Sequence, residues 1–171
     1  MDANKDRLYT KLEFNLEELT KLYRQLVEQL RKEKEVLLSG DAEKINESTK
    51  MKDFFLMKIK SLDSLRMKYA TELAKELNLD DNQPRLLELA RQFEGDRGNK
   101  LRGMHSALEI LFKRIPELNK ENEEYAKSAL RYLKTAMDNV KDNLAGQKTY
   151  HRTGNVERGP ERAGHFVKKE I

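Results

Sequence analysis

The sequence has no cysteine among its 171 residues. Disulfides, thiolate metal sites and a cysteine nucleophile are therefore excluded. Tryptophan is also absent, and only 8 Gly and 3 Pro punctuate the chain, a shortage that favours helix over sheets and tight turns. No window approaches the roughly 18 uninterrupted apolar residues of a transmembrane helix. The opening MDANKDRLYTKLEF has no apolar core of signal-peptide type. These absences predict a cytoplasmic protein without stable membrane insertion. Histidine is scarce: His105, His151 and His165 are the three present, and no two share the helical i, i+4 spacing of a zinc site. A Glu-x-x-His pair, a G-x-x-x-x-G-K-[ST] phosphate loop and a G-x-S-x-G elbow are all missing. No metal, cofactor or catalytic group is expected, and the chain does not read as an enzyme.

Charge is what the sequence has in abundance. Charged residues make up 37% and the hydrophobic set another 37%, against roughly 25% charged in an average soluble protein. That balance suits long helices with narrow apolar stripes and wide solvated faces. The formal net charge is +4. Residues 146–171 hold six Lys or Arg against three Glu, so the preceding residues are nearly neutral. A nucleic-acid partner would need a basic stripe on the folded part, and none is expected.

Apolar spacing defines three long helices. Leu12, Leu16, Leu19, Tyr23, Leu26, Leu30 and Leu37 follow a 4-3-4-3 pattern, with Glu33 the one polar position on that seam. The first helix is predicted from about Asp6 to Ser39. Gly40 can take the left-handed conformation that ends it, and Asp41 can cap the next. So short a connection makes the two helices antiparallel neighbours. The second helix, from about Asp41 to Asn78, has a seam of Ile45, Phe55, Ile59, Leu62, Tyr69 and Leu73, with Met51, Leu56, Leu65 and Leu77 beside it. After the loop at 79–83, Pro84 suits the first turn of a short helix to Phe93. Gly95 and Gly98 mark a break.

The last run, Leu101, Met104, Leu108, Leu111, Ile115, Leu118, Asn122, Tyr125, Ala129, Tyr132 and Ala136, keeps its phase through Pro116. A restart at the proline would reset the phase. One helix from about Asp96 to Ala145, kinked near Pro116, is predicted, with a tight turn and two helices as the alternative. Asn122 on the seam either fixes register or is a partly exposed residue near the kink. From Ala126 a second stripe runs beside the first: Leu130, Leu133, Met137, Val140 and Leu144. At ~1.5 Å per residue the last helix should outrun the other two by roughly 10 to 15 residues, which would leave this stripe without intramolecular cover. Such a stripe marks a partner site, a seam for self-association into a homodimer, or the wide face that a third helix needs against two others, part of it covered by the short helix. The expected fold is therefore all-α: an elongated antiparallel bundle of three long helices plus one short helix at 1–145. Residues 146–171, with four glycines and no helical period, read as a disordered, flexible basic tail.

The order of elements carries a resemblance. A leucine-rich first helix, a Gly-Asp turn, a second helix ending in KELNLDD, a short helix, a long helix with LNKENEEYAKSALRYLKTAMDNV and a tail with TYHRTG succeed one another. This layout, with the pair Asn119 and Asn122 and with Tyr150 and Gly154 after the last helix, resembles the FlgN family of flagellar export chaperones across residues 8–156. The resemblance implies a chaperone that keeps hook–filament junction proteins (hook-associated proteins of the FlgK/FlgL type) unassembled and delivers them to the flagellar type III export gate. It implies that a client's terminal helical segment lies on an apolar stripe such as Leu130, Leu133, Met137, Val140 and Leu144, in helix-in-groove fashion. It also implies that Tyr150 contacts the gate protein FlhA. His151 stands where a glycine is common in the family. A homo-oligomeric coiled-coil scaffold or adaptor is the competing reading.

Overall fold

A computed structural model describes residues 3–79 and 84–145, and every regular element among them is helical. Helix α1 spans Ala3–Ser39, α2 Ala42–Glu76, α3 Leu86–Arg91 and α4 Gly95–Ala145. Residues through Tyr125 form one compact unit, a helical bundle; residues from Ala126 belong to a second.

The turns follow from local chemistry. Gly40 sits at φ 66°, a left-handed conformation that costs a residue with a Cβ about 1–2 kcal/mol. The Asp41 carboxylate then accepts from the backbone N–H groups of Glu43 (3.1 Å) and Lys44 (3.2 Å), which satisfies donors that the first turn of α2 leaves open. The exposed Asp41 carboxyl is held below the usual carboxylate range, first by its bond to the Lys44 side chain and then by the Lys44 backbone N–H. At its other end α2 stops at Asn78, which takes φ 55°. Leu79 N–H donates to Ala74 O (2.9 Å) and Asn78 N–H to Lys75 O (3.1 Å). This is the paired 6→1 and 5→2 closure of a Schellman motif, with asparagine in place of the usual glycine. Leu79 packs back onto the core and completes the stop.

Helix α1 lies at the centre of the bundle. Its side chains bond to α2 in reverse order along the chain: Asn4 to Glu76 (2.7 Å), Asn15 to Leu62 O (3.2 Å) and Gln29 to Ser48 (3.0 Å). The two helices are therefore antiparallel. With α4 the order runs forward: Asp6 meets Arg97 (2.6 Å), Glu13 meets Lys100 (2.9 Å) and Lys34 meets Glu121 (3.8 Å). These pairs make α1 and α4 parallel. The core has two parts. One gathers Leu8, Tyr9, Leu12, Leu16, Leu73, Leu89, Phe93, Leu101 and Leu108. The other gathers Leu19, Leu26, Leu30, Ile59 and Leu118. Full burial of one such leucine contributes about 1.5–3 kcal/mol. Tyr9 rests at 4.9 Å from the Phe93 ring and donates its hydroxyl to Arg97 O (3.1 Å). Burial, and then Glu13, push its phenol pKa upward.

Several details differ from the sequence reading. Pro84 precedes α3 instead of opening it, and Arg85 is the cap, its backbone N–H donating to Glu88 Oε2 at 3.3 Å. Helix α4 continues through Pro116, so the alternative of two separate helices is excluded. Gly95 takes φ 62° at the entry to α4, but Gly98 lies within the helix. A Cβ at Gly98 would collide with the Phe93 carbonyl and come to 2.8 Å from the Ala90 carbonyl. Gly98 is thus a close-packing residue and not a break. Met51, Leu56 and Leu65, placed beside the α2 seam, are exposed.

Candidate functional site

Two polar residues interrupt the apolar seams of α1 and α4, and the fold brings them together. Asn122 and Glu33 are 5% and 8% exposed. The Asn122 amide nitrogen donates to Leu30 O (2.8 Å) and to Glu33 Oε2 (2.9 Å). The other Glu33 oxygen accepts from Lys52 of α2 at 2.6 Å. One carboxylate therefore links all three long helices. A buried carboxylate demands such partners, since an unpaired one would be strongly disfavoured. A shift of α4 by one turn would strand both groups, so the cluster fixes register. The reading of Asn122 as a partly exposed residue is excluded. Beyond it, Lys34 lies 4.9 Å from the centre of the Tyr125 ring.

The predicted stripe lies in the second unit. Leu130, Leu133, Met137, Val140 and Leu144 are 57–78% exposed. At 3.6 residues per turn the five fall within an arc of about 80° and along about 21 Å of helix. Neither core cluster includes any of them. Tyr132, which the sequence places on the α4 core seam, is 77% exposed. The seam of α4 thus ceases to be buried after Asn122, and the large apolar residues of both stripes beyond it are exposed. The change to Asn139 and Asn143 on the older seam was the available signal. Isolated exposed apolar residues are ordinary, but five on one helical face make a continuous apolar surface.

Tyr150 falls outside the described residues. Of the three histidines, only His105 is among them, and there no group of His, Cys, Asp and Glu could hold a metal ion. None of the helices described is long and apolar enough to cross a membrane.

The described residues thus form a helical bundle with a polar cross-link in its core and, in the second unit, a helical segment with an exposed apolar face. A family model described as FlgN protein matches residues 1–158. The chain belongs to the FlgN family and so to the flagellar export chaperones in general. No curated protein and no solved structure matches it.

Proposed function

We propose that the chain binds hook–filament junction proteins of the FlgK/FlgL type in the cytoplasm and delivers them to the flagellar type III export gate. The observation that carries this reading is the exposed face Leu130, Leu133, Met137, Val140 and Leu144. A client's terminal segment folds against it as an amphipathic helix, so that each partner covers apolar surface the other leaves in water. Ordering the client on binding limits affinity per unit area, which suits a complex that must be released at the gate. Tyr150 then serves as the aromatic contact to FlhA, a role that rests on its match to the family tail.

The test replaces two face residues in the full chain. Leu133→Asp with Met137→Asp places two charges on the proposed contact and should weaken binding of a junction protein's terminal helix at least about 100-fold, equivalent to roughly 3 kcal/mol. Far-UV circular dichroism should remain nearly unchanged. An equal loss of helicity would make these residues part of a core and would overturn the assignment. In the scaffold reading the same face pairs with a second copy; the doubly substituted chain would then change from dimer to monomer with no client involved.

A further inference from the structure

All four helices line a groove of about 650 Å³ within the first unit, well away in sequence from the exposed face of 130–144. Leu19 and Leu108 form its buried floor, and Leu86, Leu87 and Phe112 its apolar walls. Phe112 is 50% exposed and stands edge-on to Tyr23 at 4.9 Å, so its orientation is set while much of its surface meets water. Exposing an aromatic ring and Leu87 at the rim of one groove leaves apolar area that a partner would cover.

The charges around this groove are unequally engaged. Among its carboxylates, Asp63 is held by Arg66 at 2.7 Å and Glu109 by Lys113 at 2.9 Å. Lys113 draws the Glu109 carboxyl below its ordinary range. Glu88 accepts from the Arg85 backbone at the start of α3. The side chains of Arg85 and Arg91, one at each end of α3, are exposed and make no ion pair among the described residues. His105 lies on the α4 wall. The rim therefore presents two exposed guanidiniums that, among the described residues, have no carboxylate partner, above an apolar floor. Arginine is suited to such a place, because its planar fork takes a carboxylate in two parallel bonds.

We propose that this groove is a second protein-binding site, taking an amphipathic helical segment whose apolar face is flanked by glutamate or aspartate. The apolar residues of the segment lie on Leu86, Leu87, Leu108 and Phe112. Its carboxylates meet Arg85 and Arg91. The site is separate from the α4 face and does not depend on the role given to that face. A chaperone with two such sites could hold one partner while engaging another.

The test uses the full chain and a labelled synthetic amphipathic peptide with leucines at i, i+3 and i+7 and glutamates flanking that face. The control peptide has lysine in place of each glutamate. Fluorescence anisotropy should give about tenfold or tighter binding for the glutamate peptide. NMR shifts should fall on Leu87, His105 and Phe112. Arg85→Glu with Arg91→Glu, both surface positions, should invert the preference with unchanged helicity. Leu133→Asp with Met137→Asp should leave it intact, which separates failure here from failure of the client-binding reading. Equal binding of the two peptides, no binding, or shifts confined to 130–144 would overturn the proposal. So would a concentration-dependent dimer that disappears in the Arg85→Glu, Arg91→Glu chain, since a second copy would then be the occupant.

Discussion

Replacing Asn122 by alanine isolates the link between α4 and α1. The change removes a neutral hydrogen bond to Leu30 O and a charge-assisted one to Glu33, worth about 1 and about 1.5–3 kcal/mol. It also removes Asn122 Oδ1, a buried acceptor with no partner, which returns about 1 kcal/mol. The net destabilisation is about 1.5–3 kcal/mol. At about 2–4 °C per kcal/mol for a chain of this size, Tm should fall by about 3–12 °C. The decisive assay is a double-mutant cycle with Glu33→Ala in urea denaturation. Lys52, the third member, is partly exposed and can rehydrate, so it disturbs the cycle little. A coupling of about 1–2 kcal/mol between positions 33 and 122 is expected. Asn122→Asp should be worse than alanine at neutral pH, because it sets a second carboxylate beside Glu33, and acidification should relieve the excess. Additive single changes would refute the claim that this cluster fixes the register of α4 on α1.

Gly98→Ala should destabilise the chain by about 1–3 kcal/mol through overpacking against the Phe93 and Ala90 carbonyls, whereas Gly103→Ala, which meets nothing within 4 Å, should be neutral or stabilising; urea midpoints compare them. Burial raises the phenol pKa values of Tyr9 and Tyr23 above the ordinary value near 10. The folded state thus binds their protons more tightly than the unfolded state. Their contribution to stability is complete below pH ~10 and is lost as pH rises through the folded values, so ultraviolet titration should show two late-ionising tyrosines and melts should weaken in that window. Tyr150→Ala should leave client binding unchanged and weaken FlhA docking, measured by calorimetry with each partner; loss of client binding would assign the tail a different role.

The helices were legible because their causes are local. Leu12, Leu16, Leu19, Leu26 and Leu30 repeat at helical spacing, and all five are buried. Gly40 and Asp41 carry their turn in their own chemistry. The unbroken phase across Pro116 outweighed the proline's local preference, and α4 is continuous there. What failed to show in the sequence depends on distant neighbours. Nothing local separates Gly98, packed against α3, from a glycine that breaks a helix. Asn78 ends α2 in a role usually given to glycine. Met51, Leu56 and Leu65 flank the α2 seam, and periodicity does not say whether anything covers its flanks. Likewise Tyr132 continues the α4 seam in phase yet is exposed. The stripe from Leu130 to Leu144 was readable as a face from its spacing, and all five of its residues are exposed. The groove between α3 and α4 draws its walls from four helices and has no linear signature. Glu33 and Asn122 were each visible as interruptions, but their meeting required the parallel pairing of α1 with α4.

The most direct measurement is capture of the full-length chain with its partners from cytosol, followed by mass spectrometry and sizing of the complex. The chaperone account predicts a small soluble complex with a hook–filament junction protein, lost in the Leu133→Asp, Met137→Asp chain. Recovery of the chain only with itself, as a stable dimer or larger, would contradict it and would make the α4 face a seam for self-association.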